Sequence, residues 1–306
     1  GEDAVIIDTH VHIYNPFRLE GAPWPDPKND LLYRPTMPVH LKAQAVPEDV
    51  VGAVVVEASA WISDNDWILD LANDDPFILG LVGRLEPEDA AFERDLERFS
   101  ARPLFRGVRF WGDYFADLNR HDFVDKMRQL AARDLVLDVN FPRAAADGFF
   151  ALIEEVPELR VVIEHVGQVP VNGQEPPQQW LDRMRRVAEH PQTSMKVSAL
   201  MEHSDIQPAP AQVDHYRPAL DAMWNLFGAE RVFFGSNWPV CERAGTYARC
   251  TQVVRDYCRE RGAEVSDAFF SGNAQRIYGM HTDYCVLWTD AIARESIRYP
   301  ERDVLG

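Results

Sequence analysis

The sequence predicts an α/β protein built as a single (β/α)8 TIM barrel. Short β-rich apolar runs recur eight times, stretches with helical spacing separate most of them, and no Gly-x-Gly-x-x-Gly follows the first run. Strand–helix alternation implies a parallel sheet. Eight repeats in roughly 280 residues fit a barrel better than an open doubly wound sheet. The missing glycine motif weakens a dinucleotide-binding alternative.

The first strand is read at Ala4–Thr9. A Pro-rich stretch, residues 15–48, follows it and carries Trp24, Tyr33 and His40. It is long for a βα connection and is expected as an insertion over the barrel mouth. Further strands are read at Gly52–Val56, Ile78–Val82, Gly107–Phe110, Leu135–Val139, Val161–Glu164, Ser194–Val197 and Val232–Gly235. Between them, Phe92, Leu96 and Phe99 stand at helical spacing, as do Val124, Met127 and Ala131. Trp180, Met184 and Val187 repeat the pattern, and so do Leu220, Met223, Trp224 and Phe227. Such stripes mark one helix face packed on a sheet. Residues 1–279 are therefore assigned to one barrel. Residues 280–306 form a C-terminal extension, expected to wrap the barrel or a partner chain.

Composition narrows the function. The 306 residues, 46% hydrophobic, can bury a substantial core, and no apolar run has the ~20 residues of a membrane helix. Lys and Arg total 31 against 49 Asp and Glu, a formal charge of −18. That balance argues against nucleic-acid binding, which needs a basic stripe. The four cysteines, Cys241, Cys250, Cys258 and Cys285, form no C-x-x-C pair, so a zinc ribbon is disfavoured and reduced thiols are expected. The first residues show no basic–apolar–small signal pattern. Cytoplasmic residence is the default reading, with export after leader removal as the alternative. A small-molecule substrate is the expected partner, and a homo-oligomer is compatible with the chain.

The chemistry-bearing residues fall at strand ends, where barrels of this type place their reacting groups. Ile6-Ile7-Asp8-Thr9-His10-Val11-His12 ends the first strand. His10 and His12, two apart, share a strand face and can grip one divalent cation. Taken alone, the pair could equally close an edge strand. Strand 2 supplies Glu57 and strand 3 Arg84. Strand 4 supplies Arg106 and Arg109, followed by Trp111. Strand 5 ends at Asp138 and Asn140, strand 6 at Glu164 and His165, and strand 7 at Lys196 and Ser198. Strand 8 runs into Gly235-Ser236-Asn237-Trp238-Pro239-Val240. Arg109 and Arg106 are candidate substrate anchors, since a guanidinium fork suits a carboxylate or polarised carbonyl. Trp111 and Trp238 are candidate pocket walls. Glu57 is a candidate proton acceptor, and Lys196 reads as half of a structural ion pair.

Asp-Thr-His-Val-His, Glu-His-Val-Gly and Gly-Ser-Asn-Trp-Pro-Val, in this order on these strands, resemble the amidohydrolase superfamily. They are similar in particular to its amidohydrolase-2 branch, metal-dependent TIM-barrel hydrolases that include sugar-lactone and pyrone-dicarboxylate lactone hydrolases. The resemblance runs from about Ile6 to about Tyr278. It implies metal ligands at His10, His12 and His165, with Asn237, where the family usually has an Asp, as a weak fourth ligand or water-positioning group. An amide oxygen can touch a metal or a water but accepts no proton at neutral pH. The resemblance thus implies a lactone-opening hydrolase with one divalent ion, Zn2+ by preference, and with Asn237, His165 and Glu57 as the catalytic set. Three further readings stay open: a metal-independent lactonase, a non-oxidative decarboxylase, and a degenerate barrel that only binds its ligand.

Overall fold

The computed structural model describes residues 4–110 and 113–280. Eight parallel strands pair in sequence order: β1 (Ile6–Val11), β2 (Val50–Val56), β3 (Ile78–Gly83), β4 (Phe105–Arg109), β5 (Val136–Val139), β6 (Val161–Ile163), β7 (Thr193–Val197) and β8 (Val232–Phe234). Every strand residue is buried except half-buried Arg106. Near-continuous Val/Ile/Leu runs follow from that, because a parallel sheet covered on both faces has no solvent side.

The ring closes between β8 and β1. Val11 bridges Trp238, His12 N donates to Trp238 O at 2.9 Å, and Asn237 N donates to His10 O at 2.8 Å. Thr9 Oγ1 adds a bond to Phe234 O at 2.7 Å. Asp8 acts as a buried clasp. Its Oδ1 accepts from Ser236 N at 2.8 Å and His10 N at 3.1 Å, and its Oδ2 from Tyr247 Oη at 2.8 Å.

Helices cover the outside: α1 (Pro38–Ala45), α2 (Ser63–Asp74), α3 (Phe92–Ser100), α4 (Phe123–Ala132), α5 (Ala146–Glu155), α6 (Gln178–Ala188), α7 (Arg217–Phe227) and α8 (Tyr247–Arg259). Their apolar stripes face the strands as the spacing predicts: Phe92, Leu96 and Phe99 are buried, as are Trp180, Met184 and Val187. Most strand ends shift by one or two residues from the sequence reading, and two differences bear on the site. β1 runs to Val11, so His10 sits inside the strand rather than past it. The 15–48 insertion stops short of α1, whose first turn is opened by Pro38. An antiparallel bridge between Tyr14 and Thr36 ties off the irregular part.

The N-terminal end of the barrel is sealed from the C-terminal side of the chain. After α8 come α9 (Ala263–Asp267), a π turn (Ala268–Gly272) and α10 (Asn273–Ile277). Ile277 and Tyr278 then pack among Ile7, Val54, Val136, Val162 and Phe233. No helix among the described residues is long and apolar enough to cross a membrane. The expected extension beyond residue 280 lies outside the described residues, as does Cys285; Cys241, Cys250 and Cys258 are free and buried.

Candidate active site

A cavity of about 440 Å3 opens at the C-terminal end of the strands. Its walls include His12, Glu57, Arg84, Arg109, Asn140, His165 and Asn237, with Pro23 and Trp24 from the mouth insertion. His10 lies beneath, its ring centroid 5.0 Å from His12 and 4.7 Å from His165. Gly235 makes room for His10 between β1 and β8, because a Cβ there would fall 2.8 Å from His10 Cβ.

The three imidazoles are held by their Nδ1 atoms. His12 Nδ1 is 3.0 Å from Val56 O, and His165 Nδ1 is 2.8 Å from Ser198 Oγ. Both contacts leave Nε2 for the cavity, the usual way a protein orients a metal-binding histidine. His10 Nδ1 lies between Lys196 Nζ at 3.4 Å and Glu164 Oε1 at 3.8 Å, and its Nε2 is buried with no hydrogen-bond partner. Burial pushes His12 down to about 4, with the Arg109 charge adding to it. Burial likewise lowers His10 and His165 well below the usual imidazole range. All three are therefore neutral at pH 7, with lone pairs available to a cation. His165 has a left-handed backbone (φ 53°), which turns the chain sharply after β6.

Charged groups run beneath and beside the histidines. Glu164 is fully buried; its Oε2 pairs with Arg109 Nη2 at 2.8 Å. Burial raises the Glu164 carboxyl while the Arg109 charge opposes that shift. Arg109 Nη1 is also 3.7 Å from Glu57 Oε1. Deeper, Lys196 Nζ donates to Asp138 Oδ2 at 2.7 Å and to Thr9 O at 2.9 Å, and Tyr278 Oη reaches Asp138 Oδ2 at 2.8 Å. Lys196 is thus the structural ion-pair partner the sequence suggested.

Ligand atoms of His10, Glu164 and His165 all lie within 4.8 Å of one another. A buried lone pair on His10, a neutral His165 and an anionic oxygen suit a divalent cation. His12 stands outside that tightest triple but presents Nε2 to the same cavity. Asn237 comes from a left-handed turn after β8 (φ 64°), and its Nδ2 donates to Glu202 Oε2 at 2.7 Å.

The strands thus bring together His10, His12, His165, Asn237, Glu57 and Arg109. Arg106 is not with them. It sits at the opening of β4, where Nη1 donates to Gly279 O at 3.2 Å at the sealed end of the barrel. Three residues of rise along β4 separate it from Arg109 and the mouth. Trp238 is buried below the residue 34–44 segment, with Nε1 donating to Glu242 Oε1 at 3.1 Å; it fills space rather than walling the mouth. Trp111 lies outside the described residues. His203 borders a second opening of about 340 Å3 with Asn140, Arg143, His165 and Gln168. The fold brings two further carboxylates, Glu164 and Glu202, to these residues, and the sequence reading gave neither a role. Glu164 was legible, since it adjoins His165 in a strand-end motif. Glu202 was not, because its burial depends on the fold of the loop after β7.

Comparison with known proteins places this geometry. The family described as amidohydrolase matches residues 7–280. An L-fucono-1,5-lactonase from Burkholderia ambifaria is 28% identical over 286 residues, covering 89% of this chain and 94% of the relative. Crystal structures of an amidohydrolase from Burkholderia multivorans superpose with a TM-score of 0.79, covering 91% of this chain and 100% of that one. One contains HEPES, at 25% identity; another contains zinc, at 24%.

Proposed function

We propose that this chain, which belongs to the amidohydrolase family, is a lactonase acting on a sugar-acid lactone. The observation that carries the reading is the convergence of three neutral histidines, Arg109 and Glu57 on one cavity at the C-terminal end of the barrel. The likeness to an L-fucono-1,5-lactonase over most of both chains supports a cyclic sugar ester as substrate. A cavity of about 440 Å3 is of the size that encloses one small ring.

His10, His12 and His165 would hold one divalent cation, Zn2+ by preference, with Glu164 supplying the nearest anionic oxygen. Such a cation polarises the carbonyl and makes water a better nucleophile near neutral pH. The protein's own groups do the rest. Arg109, fixed by Glu164 and beside Glu57, aims a rigid donor fork at the substrate carbonyl or at an oxygen next to it. Water adds to the carbonyl carbon and loses a proton to Glu57. The ring C–O bond then breaks, and the leaving alkoxide takes a proton back, giving the open hydroxy acid. Asn237 positions the water through its amide and takes no proton.

Turnover across five- and six-membered aldonolactones, linear esters and amides tests this reading. Lactones should be opened in clear preference to linear esters, and Arg109→Met should lower kcat/KM by about 10²-fold, the cost of removing one oxyanion-stabilising donor. A panel with no lactone turned over, or an unaffected Arg109→Met protein, would sink it.

A further inference from the structure

The loop after β7 holds a half-buried carboxylate that forms no ion pair among the described residues, with the Arg243 charge acting on it from further off. Glu202 Oε2 accepts from Asn237 Nδ2 at 2.7 Å, and its Oε1 is buried with no hydrogen-bond partner. A loop gains nothing in stability from such a group, because desolvating a carboxylate is costly and one amide bond offsets little of it. Its position is informative. Asn237 is the β8 residue that faces the cavity.

An asparagine amide is nearly symmetric in shape, so either its donor or its acceptor end can face a site. When ionised, the Glu202 carboxylate accepts only, and so it commits Nδ2 to itself and leaves Oδ1 for the cavity; burial pushes this carboxyl up to about 7, and the Asn237 bond pulls it back towards the ionised form. We propose that Glu202 is a positioning residue that fixes the Asn237 amide with its carbonyl oxygen towards the reacting groups, so that positions 202 and 237 form a matched carboxylate–amide pair. The proposal rests on the lactonase reading only for its effect on turnover. It also explains why residue 237 is neutral: an aspartate there would stand against the Glu202 carboxylate, and like charges at that range repel.

Four proteins test it: the natural chain, Glu202→Gln, Asn237→Asp, and the double variant. Glu202→Gln, which can present either amide end to Asn237, should lower kcat on a turned-over lactone at least tenfold with KM within about threefold. Zn2+ titration of the chelated proteins gives a readout independent of turnover. Asn237→Asp should leave Zn2+ affinity within about threefold in the natural background but tighten it at least tenfold when Glu202 is Gln. Urea denaturation of the metal-free proteins reads the same coupling with neither substrate nor metal: Asn237→Asp should destabilise more beside Glu202 than beside Gln at that position. Equal effects of Asn237→Asp in both backgrounds, in Zn2+ affinity and in stability, would overturn the pairing. An unchanged kcat in Glu202→Gln would overturn the positioning role. If the natural chain opens no lactone, the lactonase reading fails while the Zn2+ and urea comparisons still decide the pairing.

Discussion

At the scale of single residues, the site depends on keeping imidazoles uncharged inside a barrel. His12 shows how. Val56 O takes its Nδ1 proton at 3.0 Å, burial penalises a second proton, and Arg109 repels one. The consequence for stability has a definite sign. The folded-state value near 4 lies below the usual 6.5, so the unfolded chain binds the extra proton first as pH falls. The stabilising preference is present above pH 6.5 and is lost as pH drops towards 4. Between pH 7 and 5 the metal-free natural protein should therefore lose about 2 kcal/mol relative to His12→Gln, which has no titrating ring. Urea denaturation of both proteins at the two pH values measures this. A gap that stays constant would mean that His12 is not held neutral.

At the scale of elements, strand ends bring the polar side chains together, and the segment between β1 and α1 adds Pro23 and Trp24 to the cavity wall. Trp24 stands over the mouth, its ring centroid 6.0 Å from that of His12 and 5.1 Å from that of Tyr14. Arg18 ties the insertion to α2 by pairing with Asp64 and lying 4.3 Å from the Trp67 ring centroid. The insertion is thus pinned at its base while Trp24 faces the cavity. Trp24→Ala should raise KM for a ring substrate about tenfold, with kcat changed less, since a ring face lost from a pocket wall removes mainly binding. A fall in kcat at unchanged KM would place Trp24 in the chemistry instead. Much of this level was legible in the sequence. Helix stripes and strand runs repeat with fixed periods, and the strand-end rule turned His10, His12, His165, Glu57 and Arg109 into a list before any geometry. Arg106 shows the limit of that rule. Its strand was right, but the chain beyond α10 returns to the N-terminal end and takes its guanidinium there, a long-range contact that no local pattern encodes. Glu202 shows the same limit from the other side, as a loop residue made important only by what it touches.

At the scale of the whole molecule, a polar column threads a barrel interior that also holds an apolar cluster of Ile7, Val54, Val136, Val162 and Phe233. It runs from Tyr278 through Asp138 and Lys196 to His10, then to Glu164, Arg109 and Glu57 at the mouth. Each charge has an opposite neighbour, which is how a buried network avoids the penalty of an isolated ion. The column orients the histidines from below while the mouth stays open to substrate. We propose that these histidines hold one divalent cation on which lactone opening depends. The direct test is to strip the protein with chelator, add Zn2+ in steps, and record bound metal and lactone hydrolysis on the same sample. Both should rise together and saturate near one ion per chain, and a His10→Ala, His12→Ala protein should show neither. Full hydrolysis by stripped protein that binds no Zn2+ would contradict the claim.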